Sequence, residues 1–328
     1  MPKILLCVIA VLLTACSDDG DQDPTESQYR QQMRDLVQAI STYARGIKPG
    51  FIVIPQNGHD LLTLGGEPED SPATTYLAAI DGVGREDLYY GFDGDDKATP
   101  QAERERMIAF MDVAEQNNVQ ALVTNYCSTP ANVDDSYQQC AKKNYACFAA
   151  DHRGLDNVPA YPASPFDENQ AHVTSLAAAK NFLYLLDTTA FADTAALVSA
   201  IGATNHDVVI TDLFAGPDST DELTASDVAA LRTKAKGGKR LAIAYMSIGE
   251  AEDYRYYWKA EWKTSPPAWL AEENPDWPGN YKVQYWDTSW QQIIFGNDTS
   301  YLKRIIDAGF DGVYLDIIDA FEYFEDKL

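Results

Sequence analysis

Acidic, amide and hydroxyl side chains recur where apolar, strand-like segments of this sequence end. In a parallel α/β barrel the carboxyl ends of the strands form one face, and that face carries the active site. Carboxylates gathered there can donate protons, accept them or attack a bound molecule. The residues at these positions are Gln56, Asn57, Glu86, Asp87, Asn125, Tyr126, Asp212, Tyr245, Ser247, Glu250, Asp287, Asp316 and Asp319.

Two carboxylates on opposite sides of a pocket are what glycoside hydrolysis requires. One donates a proton to the leaving oxygen, and the other stabilises or attacks the anomeric carbon. A metal site built from Asp212, Asp316 and Asp319 is a competing interpretation, and helix capping or a salt bridge is the commoner role of a lone Asp. The histidines show no HExxH or similar metal spacing, and structural or surface positions are expected for His59, His152, His172 and His206.

The tryptophans all fall between positions 258 and 290. Flat, amphipathic rings can stack on sugar rings, and their N–H groups can donate to hydroxyls. A small core that packs a long irregular segment is the plainer interpretation, and we expect it for most of these rings. Trp286 is the predicted substrate contact among them.

Strand-like segments alternate with helical or loop stretches, which is typical of a parallel α/β protein. Eight such segments predict a (β/α)8 TIM barrel, and the run Tyr145 to Ala150 is interpreted as an extra strand. The eight predicted strands are Phe51 to Pro55, Ala79 to Gly84, Ala121 to Cys127, Asn181 to Asp187, Val208 to Phe214, Leu241 to Ile248, Val283 to Asp287 and Gly312 to Ile317.

The chain is strongly acidic, with a formal net charge of -25. Nucleic acid is excluded as an expected partner, because binding phosphates requires clustered Lys and Arg. Such acidity can concentrate a cationic ligand at the surface. Charge alone favours the plainer explanation, which is solubility or adaptation to a salty habitat.

The first residues predict export. Lys3, the apolar run Ile4 to Leu13 and the segment Leu13 to Cys16 are typical of a bacterial lipoprotein signal, which is too short to span a membrane. An ordinary cleaved signal is the alternative. We therefore expect a signal peptide at 1–15, a lipidated Cys16, a flexible tether at 16–28 and a single barrel domain at 29–328, held at the bacterial cell envelope through a lipid anchor.

Three cysteines follow the predicted signal, namely Cys127, Cys140 and Cys147. An odd number in an oxidising compartment favours one disulfide and one free thiol. The spacing leaves the pairing open.

Three motifs resemble those of one enzyme family: Tyr245 to Arg255, Asn274 to Tyr281, and Gly309 to Asp319. They are similar to glycoside hydrolase family 114, the endo-α-1,4-polygalactosaminidases and their relatives, from about Tyr29 onward. The resemblance implies a (β/α)8 barrel that hydrolyses α-1,4-linked galactosamine polymers with two acidic residues and no metal or other cofactor. The substrate would be a cationic amino-sugar polysaccharide.

The resemblance also implies roles for individual residues. Asp316 matches the family's catalytic aspartate, the nucleophile of a retaining mechanism, and Glu86 lies on the strand of the catalytic glutamate, the general acid and base. Asp87 and Glu250 are alternatives for the second role. The predicted substrate-binding residues are Asp212, Glu250, Asp319, Asp87, Asn57, Tyr126, Tyr245 and Trp286.

The order of the segments departs from the family's usual arrangement. There the chain opens with a strand like Asn181 to Asp187, and the Asp316 strand lies in mid-chain. Here the segments that should follow Asp316 come first, beginning with an apolar helical face at 29–47. This order predicts a circular permutant, in which that helix packs between the Asp316 strand and the Phe51 strand.

Overall fold

The computed structural model describes residues 26–216 and 220–328. Its core is a mixed α/β arrangement in which eight of the described strands pair only in parallel. Buried residues occupy nearly every position of these strands, as expected where both faces of a parallel sheet are covered. The strands are β1 (Ile52–Pro55), β2 (Gly82–Glu86), β3 (Gln120–Tyr126), β4 (Ala146–Ala150), β5 (Phe182–Tyr184), β6 (Val208–Thr211), β7 (Leu241–Ser247) and β8 (Gly312–Asp316).

The parallel strands form two sheets. Five of them lie in the order β1-β8-β7-β6-β5, and the other three in the order β2-β3-β4. Isolated parallel bridges join the edges of the two sheets, from Gln56 to Gly84 and from Cys147 to Asn181. The register aligns Ser247 with Asp316 at the carboxyl ends of β7 and β8.

The prediction of a strand at Val283 to Asp287 is wrong. The strand there is Asn280–Val283, which pairs antiparallel with Glu250–Glu252 and Leu270–Glu273 in a separate small sheet. Asp287 instead caps a helix, because its carboxylate accepts a hydrogen bond from Ser289 N at 2.7 Å. The run that was interpreted as an extra strand, at 145–150, supplies β4 of the parallel set.

Helices of unequal length connect the strands. Between β4 and β5, however, residues 151–181 are all described and form only one short 3₁₀ turn, Leu176–Ala178. Other short antiparallel pairs are Tyr90–Gly91 with Gly94–Ala98, and Phe214–Ala215 with Asp221–Glu222. The helices are α1 (Glu26–Ile47), α2 (Thr74–Leu77), α3 (Gln101–Gln116), α4 (Pro130–Lys143), α5 (Thr194–Gly202), α6 (Ala225–Leu231), α7 (Thr288–Ile294), α8 (Tyr301–Ala308) and α9 (Ala320–Glu325), with 3₁₀ turns at His59–Leu62 and Ala260–Lys263.

The first helix packs against one of the two strands between which the permuted order would place it. Met33, Leu36, Val37 and Ile40 are buried on one face of α1, which packs against β1, α8 and α9. β1 and β8 are hydrogen-bonded neighbours, with Ile52 opposite Gly312. The permuted order itself stays a prediction.

One disulfide joins Cys140 to Cys147, and Cys127 is a buried free thiol. The predicted signal peptide, Cys16 and most of the tether lie outside the described residues. Within the described part of the chain, no helix is long and apolar enough to cross a membrane.

Candidate active site

Asp316 and Glu86, here called the carboxyl pair, end two of the parallel strands. Asp316 is the last residue of β8 and Glu86 the last residue of β2. The Glu86 carboxylate acts electrostatically on Asp316 and raises its pKa. Two strands that are far apart in the sequence therefore bring the predicted catalytic residues close enough to interact electrostatically.

Asp316 lies at the end of a strand that is otherwise buried. Its Oδ2 accepts a hydrogen bond from Tyr245 Oη at 2.6 Å, and its Oδ1 accepts one from Ile317 N at 2.8 Å. Burial raises the pKa of Asp316 to about 7; the Tyr245 hydroxyl opposes the rise, and Glu86 and then Asp319 add to it. This carboxyl group therefore titrates near neutral pH.

Glu86 is held by one donor at each carboxylate oxygen. Tyr126 Oη donates to its Oε1, and Asn57 Nδ2 donates to its Oε2 at 3.2 Å. The Asn57 Oδ1 also accepts from Glu86 N at 3.4 Å, so that one amide side chain contacts both ends of the residue. Arg153 stacks over the Tyr126 ring, 4.3 Å from its centroid.

Left-handed backbone conformations occur directly after three of the strands. Asn57, Asp87 and Ile317 have φ angles of 56°, 60° and 57°. A β-branched residue such as Ile317 rarely adopts this conformation, and such strain is concentrated at functional sites. The N–H of Ile317 donates to the Asp316 carboxylate, so this strained residue contacts the predicted catalytic aspartate directly.

A glycine makes room for an aromatic ring beneath the carboxyl pair. A Cβ on Gly84 would overlap Tyr314 Oη, so any other residue would displace that ring. The Tyr314 ring also contacts Tyr184, with 5.2 Å between centroids. Within the described part of the chain, the buried Tyr314 Oη has no hydrogen-bond partner.

Asp319 interacts electrostatically with both members of the carboxyl pair, and Glu250 interacts with Asp319. Burial raises the pKa of Asp319, Lys282 lowers it, and Glu86 and Glu250 raise it further. Glu250 is 0% exposed, and its Oε1 accepts from Lys282 Nζ at 2.5 Å and from Asn274 Nδ2 at 2.8 Å. Lys282 therefore places one positive charge beside these predicted substrate-binding acids.

Asp212, Glu252 and Arg255 form a buried group, here called the arginine cluster. Arg255 donates to both oxygens of Asp212, at 3.0 and 2.6 Å, and its Nε donates to Glu252 Oε2 at 2.7 Å. Tyr254 Oη donates to Glu252 Oε1 at 2.6 Å. The Asp212 carboxylate thus already has a bidentate partner, and its predicted contact with substrate stays a prediction.

The other predicted binding residues have packing or charge partners of their own. Arg153 Nη2 donates to Asp87 Oδ1 at 2.9 Å. Trp286 is half-buried, with its ring centroid 4.7 Å from that of Phe324 and 5.2 Å from that of Tyr29. Asp87 and Trp286 therefore each have a structural role, and their contact with substrate stays a prediction.

Most of the tryptophans form the small core that the sequence predicts. Successive ring centroids of Trp258, Trp262, Trp269 and Trp290 lie 5.1–5.2 Å apart. Trp290 Nε1 also donates to Ile248 O at 2.9 Å, which ties this core to the segment after β7. Trp277, by contrast, is exposed.

Sequence reasoning missed the cations near the site. Arg255 lies inside a motif that carries the resemblance, and its spacing from Glu252 places both on one turn, so the ion pair could have been predicted. Lys282 lies in the antiparallel strand Asn280–Val283, which the sequence did not predict, and Arg153 lies in the irregular segment after β4, so the sequence gives no sign of their partners. The described residues contain no group of three or more His, Cys, Asp or Glu side chains arranged to hold a metal ion.

A cavity of about 310 Å³ is lined by residues that neighbour or contact the carboxyl pair, although neither Glu86 nor Asp316 lines it. Asn57 and Asp319 line one side of it, and Arg85, Arg106 and Glu322 line others. Burial, followed by repulsion from Asp319, raises the pKa of Glu322 to about 7. The cavity thus offers charged and hydrogen-bonding groups beside Glu86 that could hold a hydroxyl-rich or amino-bearing ring.

Comparison with known proteins gives one family. A family model described as glycoside-hydrolase family GH114 matches residues 163–327. An uncharacterised protein of Thermotoga maritima is 59% identical over 81 residues, which are 25% of this chain and 24% of that protein. Uncharacterised proteins of Methanocaldococcus jannaschii and Deinococcus radiodurans are 43% and 42% identical over 130 residues, or 40% of this chain and 35% and 39% of theirs. The matched segments thus span less than half the length of these relatives.

Proposed function

Because the chain belongs to glycoside-hydrolase family GH114, we propose that it hydrolyses glycosidic bonds with Asp316 and Glu86 as its two carboxyl groups. The observation that carries the proposal is the carboxyl pair itself. Each member ends a parallel strand, accepts a tyrosine hydroxyl, and interacts electrostatically with the other. Glycoside hydrolysis requires two such groups with different protonation.

The proposed reaction retains the anomeric configuration. An Asp316 oxygen attacks the anomeric carbon while the bond to the leaving oxygen breaks, and Glu86 gives its proton to that oxygen. A water molecule then attacks the glycosyl–Asp316 ester, and Glu86 takes a proton from that water. Asp316 is released as a carboxylate, and Glu86 is again protonated for the next cycle.

This reaction needs one proton on the carboxyl pair. Since the pKa of Asp316 is raised to about 7, the pair keeps a proton up to neutral pH. Electrostatic repulsion from Glu86 adds to the effect of burial in keeping this proton on the pair. Attack by Asp316 requires that the shared proton lie on Glu86 when substrate is bound.

We propose that the substrate is an α-1,4-linked, galactosamine-rich polysaccharide. Unacetylated amino sugars carry ammonium groups, and the net charge of -25 attracts such a polycation. Asp319 and Glu322, at the cavity beside the pair, supply carboxylates for these groups. Asn57 contacts Glu86, and Tyr245 contacts Asp316. Both side chains supply further polar contacts to the substrate in this proposal.

We also propose that the two parallel sheets are parts of one closed (β/α)8 barrel. The bridges Gln56–Gly84 and Cys147–Asn181 support this, because they join both pairs of sheet edges. The permuted strand order fits the same proposal, since β1 pairs with β8. A closed ring would direct Glu86 and Asp316 toward a common opening.

Export as an envelope lipoprotein is a further part of the proposal. Its support is the sequence alone, with the apolar run Ile4 to Leu13 followed by Cys16. Incorporation of labelled palmitate into the wild type but not into Cys16→Ala tests it. Equal labelling of both proteins contradicts it.

Release of reducing ends from partially deacetylated polygalactosamine tests the function. We expect Asp316→Asn and Glu86→Gln each to lower turnover by at least about 10³-fold, with binding of the polymer retained. Asp307→Asn, at an exposed acid on α8, is the control and should match the wild type. Binding without turnover in the wild type would favour a carbohydrate-binding protein, and loss of activity with a chelator would favour a metal-dependent hydrolase.

Chemical rescue with azide tests the two roles. Azide replaces a missing nucleophile directly, so Asp316→Ala should give a glycosyl azide of inverted configuration. In Glu86→Ala, azide should instead attack the glycosyl–enzyme intermediate and give the retained configuration. The opposite pattern of products would exchange the two assignments.

A further inference from the structure

The cavity of about 310 Å³ beside the carboxyl pair contains groups that the proposed reaction does not use. Asn57 lines the cavity and also donates to Glu86, so the side chain that holds this carboxylate is part of the cavity wall. Other walls come from β2, α3, α9 and the turn at 92–93, between the short strands Tyr90–Gly91 and Gly94–Ala98. A group bound there would lie next to the carboxyl pair.

Phe92 presents an aromatic ring to this cavity. The residue lines the cavity and is 44% exposed, although large apolar side chains are usually buried. The other groups around it are mostly polar or charged. A flat apolar ring that stays accessible among hydrogen-bonding groups suits the face of a sugar ring, which is apolar on its C–H side and polar at its edge.

Arg153 fixes the turn that carries Phe92. Its Nη2 donates to Gly91 O at 2.5 Å and to Asp87 Oδ1 at 2.9 Å. Its Nε donates to Asp95 Oδ1 at 3.0 Å, on the other side of the turn. Since Asp87 is the first residue after β2, the turn is tied to the end of that strand. A platform held in this way loses little conformational entropy when a ligand stacks on it.

The two arginines of the cavity differ in their partners. Arg106 Nη2 lies 3.6 Å from Asp60 and 3.3 Å from Glu67. Arg85 forms no ion pair with the described carboxylates, and its Nη1 contacts His59 Nδ1 at 3.2 Å. Its Nη2 has no hydrogen-bond partner in the described part of the chain and, unlike its Nε, is not fully enclosed by protein. Arg85 therefore has a free donor that a ligand can reach.

His59 orients the guanidinium of Arg85. Burial, and then Arg85 itself, lowers the pKa of His59 well below its ordinary value, so the imidazole is neutral at physiological pH. Its Nε2 donates to Gly84 O at 3.3 Å, which leaves Nδ1 to accept from Arg85. The free Nη2 suits an oxygen acceptor. An anion is disfavoured there, because Asp319 and Glu322 also line the cavity.

We propose that this cavity is a subsite that binds one amino-sugar unit of the polymer beside the cleaved bond. Phe92 stacks on the face of this sugar, and Arg85 Nη2 donates to one of its hydroxyl oxygens. Its ammonium group lies toward Asp319 and Glu322. A volume of about 310 Å³ is at the lower end of small-molecule sites and suits a single ring. The inference rests on the proposed function, because its ligand is the same polymer.

Binding of partially deacetylated polygalactosamine to the Asp316→Asn protein, measured by calorimetry, tests the subsite without turnover. Phe92→Ala in this protein should weaken binding about fivefold, whereas Phe92→Tyr, which keeps a ring, should bind as the parent does. Leu64→Ala, which shortens another exposed apolar side chain outside the cavity, is the control. Equal affinity of Phe92→Ala and its parent overturns the stacking contact.

Arg85→Met tests the guanidinium in the same assay. It should weaken binding about tenfold, because a charged donor to the sugar is lost. Arg85→Lys keeps the charge without the planar fork and should weaken binding less. Arg104→Met, on α3 but outside the cavity, should bind as its parent does. Unchanged binding in Arg85→Met contradicts this contact, and the exposed Phe92 keeps the subsite testable where a thermal melt shows that Arg85→Met is unfolded.

These outcomes separate the subsite from the reaction. Hydrolysis by the wild type, with unaltered binding in both Phe92→Ala and Arg85→Met, would remove the subsite and keep the reaction. Weaker binding in these variants, without hydrolysis by the wild type, would keep the subsite and remove the reaction. In an active enzyme, Phe92→Ala should raise KM about fivefold and leave kcat nearly unchanged. Absence of polymer binding in the parent protein would overturn the subsite.

Discussion

Two groups of acidic side chains lie near the carboxyl ends of the strands. They differ in the groups that donate hydrogen bonds to their carboxylates. In the arginine cluster, Asp212 and Glu252 share the guanidinium of Arg255. In the carboxyl pair, Asp316 and Glu86 each accept a neutral tyrosine hydroxyl. No Lys or Arg among the described residues donates a hydrogen bond to either member of the carboxyl pair.

The difference shows how one kind of residue can be used for structure or for chemistry. Burial raises the pKa of Asp212 and of Asp316, but Arg255 opposes the rise at Asp212, while Glu86 adds to it at Asp316. A buried cation opposes the effect of burial on Asp212 and fixes its orientation. Neutral donors orient a carboxyl group and leave it able to exchange a proton near neutral pH.

The largest expected effect on stability comes from breaking the arginine cluster. Arg255→Met leaves Asp212 and Glu252 buried without their cation and should lower the free energy of unfolding by about 3–5 kcal/mol. Arg255→Lys keeps the charge but loses the bidentate geometry, so it should cost less. Urea unfolding measures both, and a loss below about 1 kcal/mol for Arg255→Met would show that the cluster is not structural.

Removing a charge from the carboxyl pair should stabilise the protein, whereas removing the cation of the arginine cluster should destabilise it. Because the pKa of Asp316 is raised on folding, its ionisation destabilises the folded state as pH rises from about 4 through about 7. Asp316→Asn removes that cost and should stabilise the protein by about 1–3 kcal/mol at pH 8, and by much less at pH 5. Urea unfolding at both pH values measures it, with Asp307→Asn as the control; a pH-independent difference would contradict the raised pKa.

A smaller effect is expected from the tyrosine that holds Glu86. Tyr126→Phe removes the hydroxyl and keeps the ring under Arg153, so only the hydrogen bond to Glu86 is lost. Turnover of the polymer should fall about tenfold, as expected for about 1.4 kcal/mol of lost orientation. The melting temperature serves as the control. Full activity in Tyr126→Phe would remove this hydroxyl from the mechanism.

Much of the parallel core could be predicted from the sequence, because buried strands such as β7 and β8 are continuous apolar runs that end in polar residues. The antiparallel strand at 280–283 could not, since Val283 and Tyr285 are apolar for another reason: both are fully buried in the core. Short apolar runs do not distinguish a barrel strand from such packing. The strand at 146–150 was interpreted as an addition on the long segment after Cys127, because eight other runs already supplied the strands of a barrel.

The candidate site was predictable as a set of acids, but their partners were not. Asp316 and Glu86 were predicted as catalytic residues in part because they lie at the ends of predicted strands. Arg255 and Lys282 reach their acids through tertiary contacts. The choice of which carboxylates pair with a cation therefore depends on tertiary packing, which the sequence pattern does not show.

The pH dependence of kcat/KM on the polymer tests the central claim, that Asp316 and Glu86 share one catalytic proton. We predict a decline in activity as pH rises through about 7, when the pair loses that proton. Since the Tyr245 hydroxyl lowers the pKa of Asp316, Tyr245→Phe should move this decline to higher pH. Tyr254→Phe, which removes a hydroxyl at the same 2.6 Å distance from Glu252, should leave it in place. A decline that Tyr245→Phe does not move, or that Tyr254→Phe moves equally, would contradict the account.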